Sequence, residues 1–238
     1  MTNETTSHTA ARFTTLWGGG ALAASALLSL LMTLPFVTLN GVTALSWYEV
    51  SNAVTSVGGV IAALSLVGAV YCLGLGIRGD AGLVGQSQVG RVAVLLAVAA
   101  MVVKSLIRLF FIVLPPHPTA ESLSVWDYLR SDIQVALGAL SLVCVVVAVV
   151  VAVRRGVLNR ALRWGLVIVV AWMLLVQVIQ YIPFPVGGPG GTFRMFVIVA
   201  SNAYVVGLLL QGVLGVGIAL YGQSAAIRRR AAIINEHW

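Results

Sequence analysis

Charge is what this chain has least of. Of its 238 residues only 9% are charged, where an ordinary soluble domain carries about 25%. That supply cannot cover a water-facing globular surface. Hydrophobic residues make up 60% and the mean hydropathy is +1.02, so most of the exterior must face lipid, and the chain reads as a polytopic membrane protein. The same composition excludes a disordered chain, a collagen-like repeat and a disulfide-stapled secreted module.

Further absences exclude chemistry. The three histidines, His8, His117 and His237, all lie outside the apolar runs, which removes intramembrane bis-histidine haem ligation and any histidine-based catalytic dyad within the bilayer. The two cysteines, Cys72 and Cys144, stand singly in different runs and are expected to be small packing residues rather than metal or redox groups. There is no phosphate-binding GxxxxGK loop, HExxH or TVGYG sequence. Gly74-Leu75-Gly76 lacks the third glycine of a dinucleotide fingerprint. No Asp or Glu falls near the centre of an apolar run, where proton-coupled carriers and intramembrane aspartyl proteases usually need one. With no nucleophile matched to a base, the expectation is a protein that is not an enzyme and takes no cofactor and no metal. The net charge of +7 comes without the aromatic–basic platform of single-strand binders, so nucleic acid is not an expected partner.

What is present is six apolar runs of bilayer-spanning length, approximately 16–37, 57–77, 92–114, 132–153, 164–182 and 195–221. The expected fold class is all-α: a six-helix transmembrane bundle (16–221) between a polar N-terminal tail (1–15) and a basic C-terminal tail (222–238). A cleaved signal peptide ending at Val42-Thr43-Ala44 is the competing reading of the first run, but its apolar stretch is long for one. The cationic residues orient the bundle. With the N-terminus in the cytoplasm, Arg12, Arg78, Arg91, Arg154, Arg155, Arg160, Arg163 and Arg228 to Arg230 are inside, and only Arg130 and Arg194 are outside. That bias predicts both termini cytoplasmic in the plasma membrane.

The short inner connections make the second and third helices neighbours, and likewise the fourth and fifth. The odd-numbered helices are expected to stop at Pro35, Pro115 and Pro183. Two outer loops are expected to carry the clusters Trp47-Tyr48-Glu49 and Trp126-Asp127-Tyr128, read as headgroup-level aromatics rather than as marks of a hairpin repeat. Segment 119–131 reads as a short interfacial helix leading into the fourth span, either a lid over an outward cavity or a plain connector.

The costly feature is Lys104 with Arg108, four residues apart on one face of the third helix. Counted from Arg91, they stand about 20 and 26 Å along the helix axis, with Lys104 past the bilayer centre. An unpaired cation there costs about 2.5–3.5 kcal/mol. Compensation can come from an ion pair, with Glu49, Asp127 and Asp132 the candidates. It can also come from an anion-accepting cavity open to the outside, or from an acid on another subunit. Gln177, Gln180 and Asn202 are further contacts for Lys104. The expected ligand-binding set is therefore Lys104, Arg108, Gln180 and Asn202.

In the sixth run Ala203, Gly207, Gln211, Gly215 and Ala219 recur every four residues, a small-residue ridge with one amide in the middle that admits a close helix neighbour. The function these features suggest is a small transporter or a membrane-embedded transporter subunit that binds an anionic solute or a lipid headgroup. The alternative is an accessory subunit of a larger membrane complex. Expected partners are membrane lipids, an anionic small molecule or lipid, and in the alternative a membrane protein subunit.

Overall fold

The computed structural model describes residues 4–38, 45–77, 82–113, 122–155, 158–181 and 191–236, with side chains over most of the apolar spans. Within a bilayer, backbone N–H and C=O groups have no water to bond to, so each apolar segment must close its own hydrogen bonds as a helix. The described elements are accordingly all helices: α1 (Glu4–Thr38), α2 (Leu45–Leu75), α3 (Gln88–Val113), α4 (Ser122–Arg155), α5 (Arg160–Tyr181) and α6 (Gly191–Glu236). Each holds a stretch long and apolar enough to cross a membrane: Phe13–Thr33, Val57–Leu75, Gln88–Phe110, Asp132–Arg155, Arg160–Ile179 and Asn202–Gln223. Their outward faces are apolar, with Leu27, Val143, Val178 and Leu220 all exposed.

Local chemistry sets several helix ends. The Ser87 hydroxyl accepts the Gly90 N–H at 3.3 Å, and the Asn159 side-chain oxygen accepts the Leu162 N–H at 2.8 Å, so these residues cap α3 and α5. At the end of α2, Gly76 takes φ 86° and its N–H donates to the Cys72 carbonyl at 3.0 Å, a left-handed terminus that glycine adopts without strain.

Four helices overrun the spans expected from hydropathy. Trp47-Tyr48-Glu49 lies inside α2 rather than in a loop, and Trp126-Asp127-Tyr128 lies inside α4. Segment 119–131 is therefore no separate interfacial helix: from Ser122 onward it forms the first turns of α4. No Gly or Pro interrupts either stretch, and once a helix is nucleated each further turn propagates easily. Helix α1 continues through Pro35 to Thr38, whereas α3 and α5 stop before Pro115 and Pro183. Proline at 35 forfeits only one hydrogen bond in a last turn. The 46-residue α6 is about 69 Å long and stays helical through most of the basic C-terminal segment.

The helices close into a ring in chain order. Helix α1 packs most extensively, on α6 and on α2; α2 packs on α3, α3 on α4 and α5 on α6. The ring shuts between α4 and α5, which touch least of all neighbouring pairs. Small residues bring α1 and α6 together. A β-carbon on Gly215 would fall 2.6 Å from the Ala23 nitrogen and 2.7 Å from the Gly19 carbonyl oxygen, closeness that only glycine permits. Across the α1–α2 contact the buried Ser25 hydroxyl donates to the Ala62 carbonyl at 2.9 Å.

At the end of the bundle where α1 begins and α6 ends, here the terminal face, the α2–α3 connection turns back under the ring. The Leu83 N–H donates to the Leu73 carbonyl at 2.7 Å and the Val84 N–H to the Gly74 carbonyl at 3.4 Å. Both side chains are buried, and Leu83 joins Leu22, Leu73, Ala152, Leu158 and Ile218 in the apolar core at this end.

Candidate functional site

Inside the ring lies a cavity of about 880 Å³ lined by all six helices, near the upper end of the usual size of small-molecule sites. Its polarity is graded along the bundle axis. Toward the terminal face the walls are apolar, formed by residues such as Leu73, Val94, Val149, Val169 and Leu214, with Leu83 and Val84 as the floor. Toward the opposite face Ser29, Thr33, Lys104, Ser105, Arg108, Gln134, Gln177 and Tyr204 line it.

Lys104 and Arg108 leave α3 in different directions. The Lys104 ammonium lies over Gly138 of α4, where a β-carbon would stand 3.2 Å from Nζ and 3.9 Å from Gln177 Nε2 of α5. The Arg108 guanidinium lies over Gly59 of α2, where a β-carbon would stand 3.1 Å from NH1 and 3.3 Å from NH2. Both cations thus occupy room left by a missing side chain. Their divergence reduces mutual repulsion and spreads positive charge across the cavity. Tyr204 of α6 stands in the field of Arg108, and its side chain is hydrogen-bonded to Ser29 of α1.

The other hydroxyls are occupied locally: Ser105 donates to the Met101 carbonyl at 2.8 Å, Ser141 to that of Gly138 at 2.8 Å and Thr33 to that of Ser29 at 2.7 Å. One amide is not satisfied. Gln134 Nε2 is buried without a hydrogen-bond partner, a condition that costs about 1–3 kcal/mol. Among the described residues no carboxylate forms an ion pair with Lys104 or Arg108, and Asp132 at the start of its span is exposed and unpaired. Glu49 and Asp127 have side chains outside the described residues.

Of the other expected contacts, Gln177 sits beside the lysine, while the Gln180 side chain lies outside the described residues. Asn202 is exposed and does not line the cavity. The α6 ridge faces two neighbours. Gly215 meets α1; a β-carbon on Gly207 would touch Trp172 of α5 at 3.0 Å. The Trp172 indole in turn donates to the Ala203 carbonyl at 2.8 Å. Gln211 is 2% exposed, and its Nε2 donates to the Leu22 carbonyl of α1 at 3.4 Å. The cysteines are free, Cys144 buried and Cys72 half-buried, and no group of three metal-ligating side chains gathers among the described residues.

Nothing in the sequence marks Gly59, Gly138, Gln134 or Tyr204. Glycine and tyrosine are frequent in membrane helices, and only the partner arriving from another helix gives these positions a role. Compared with known proteins, the chain matches no family model, no curated protein and no solved structure.

Proposed function

We propose that this protein is a non-catalytic multi-pass membrane protein that captures an anionic solute or lipid headgroup in its central cavity, as a small transporter or as the membrane-embedded subunit of one. The observation that supports this reading is the pair Lys104 and Arg108: both line one cavity, and no carboxylate is paired with either among the described residues. Two cations within a span are expensive unless an anion offsets them, and the unsatisfied amide of Gln134 adds a third donor at the same end. In this reading, which the positive-inside bias supports, the terminal face is on the cytoplasmic side of a plasma membrane and the cationic end of the cavity is toward the exterior. The sequence carries no phosphate-binding GxxxxGK loop, so ATP hydrolysis, if uphill transport uses it, comes from another polypeptide.

The test is native mass spectrometry of the protein extracted in mild detergent, beside the variant carrying Lys104→Ala and Arg108→Ala. The wild type should carry a discrete anionic adduct and the variant should lose it while remaining monodisperse. A variant that fails to insert or aggregates would point instead to a structural ion pair.

A second reading, an accessory subunit of a membrane complex, is favoured by α6. Its helix runs on past the apolar run that ends near residue 221, to Glu236, and carries Arg228 to Arg230 beyond that run as an arm suited to an acidic partner surface. A stoichiometric second polypeptide in the same spectra, with no adduct, would support it.

A further inference from the structure

An inorganic anion would use only one end of the cavity. Below Lys104 the lining of α3 is Met101, Ala97 and Val94, a depth of about 15 Å at the helical rise. That is roughly half the ~30 Å hydrocarbon core, the reach of one leaflet's chain. The polar side chains that bound this apolar part, Ser25 and Gln211, are already spent on the Ala62 and Leu22 carbonyls. The remaining lower walls are apolar, and Leu83 and Val84 form the floor. The upper end, by contrast, gathers two cations and one orphaned amide.

We propose that the cavity holds an amphiphile, a phosphate monoester on a single hydrocarbon chain, with its phosphate between Lys104 and Arg108 and its chain in the apolar depth. This rests on the anion-capture reading above and narrows it to a ligand class. Charge favours the monoester. Its two cations face about −1.5 to −2 at neutral pH on such a phosphate, whereas a diester headgroup would leave one cation uncompensated. A rotation of the Gln134 side chain, which lines this end with its Nε2 buried and unpartnered, would bring a neutral donor to a phosphate oxygen. Entry is sideways from the bilayer between α4 and α5, the seam where the ring is held by the fewest contacts. Val149 of α4 and Val169 of α5 line the chain-binding depth.

The experiment uses the full chain in a neutral maltoside detergent with three probes: monopalmitoyl lysophosphatidate, monopalmitoylglycerol and inorganic phosphate. The two chain probes carry the same acyl chain, so the ratio of their affinities, each corrected for its own separately measured partitioning into micelles, isolates the head. Lysophosphatidate should bind about tenfold or more tightly than monopalmitoylglycerol, and Lys104→Ala with Arg108→Ala should abolish that difference. Val149→Trp, which fills the apolar depth, should weaken lysophosphatidate severalfold and leave phosphate binding unchanged. Val145→Phe is the smaller substitution to use if the tryptophan variant loses its thermal unfolding transition. If phosphate binding depends on the two cations while lysophosphatidate gains nothing and ignores the depth variants, the amphiphile is overturned and simple anion capture stands. If no probe responds to loss of the cations, both fail.

Discussion

At Gly19 a β-carbon would fall 2.6 Å from the Gly215 carbonyl oxygen and 2.7 Å from the Ala219 nitrogen, at Gly18 it would press on the Leu73 side chain, and at Gly20 it would meet open space. These neighbours therefore separate two opposing effects of adding a methyl group. Gly20→Ala should stabilise the protein by up to about 1 kcal/mol through helix propensity alone. Gly19→Ala should destabilise it by about 1–3 kcal/mol, because α1 and α6 must move apart. Thermal unfolding of the two variants in detergent checks the sign of each. From sequence the glycine triplet reads only as a weak helix start, since its partner surface lies almost two hundred residues further along the chain. Lys104 and Arg108 were legible for the opposite reason: a charge inside an apolar run is anomalous on energy grounds before any neighbour is known. Their cradles at Gly59 and Gly138 were not, because a missing side chain means something only beside whatever fills its space.

Among the elements, the number of helices and their approximate spans follow from the length of apolar runs, because the bilayer enforces both. Two things do not follow. Helix ends outrun hydropathy, as α2, α4 and α6 do, since leaving the hydrocarbon does not end a hydrogen-bonded ladder. Partner choice is also hidden: in lipid every apolar face is equally at home, and close packing of small residues selects neighbours instead. Short connections led to equal expectations for the α2–α3 and α4–α5 pairs, yet only the first is well packed. The difference lies partly in the α2–α3 connection, which is tied to its own helix by the turns at Gly82 and Gly85, with φ of 54° and 58°. A side chain at Gly82 would both adopt a left-handed backbone and collide with the Gly74 carbonyl. Gly82→Ala should therefore cost about 1–3 kcal/mol. It should also raise hydrogen exchange at the Leu83 and Val84 amides, which hydrogen-exchange mass spectrometry can localise to this floor.

For the molecule as a whole, the excess of arginine on one set of connections is the only orienting signal, and it makes a clean prediction. Green fluorescent protein fused after Trp238 should fluoresce in a bacterial host, and alkaline phosphatase at the same point should be inactive; the converse pair of results would invert the bundle and turn the cationic end of the cavity inward. The ring also fixes a chronology. Helix α1 makes its most extensive contact with α6, an element synthesised long after it. At a synthesis rate of about 5–20 residues per second, the nearly two hundred residues between the ends of the two helices take roughly 10–40 s to make. Until α6 is made, Gly18 can already meet Leu73 of α2, but Gly19 has no partner within its own chain. Neither the cavity nor the site within it exists until α6 has been made, so a chain that stalls before α6 is not a partial version of this protein but a set of helices without an interior.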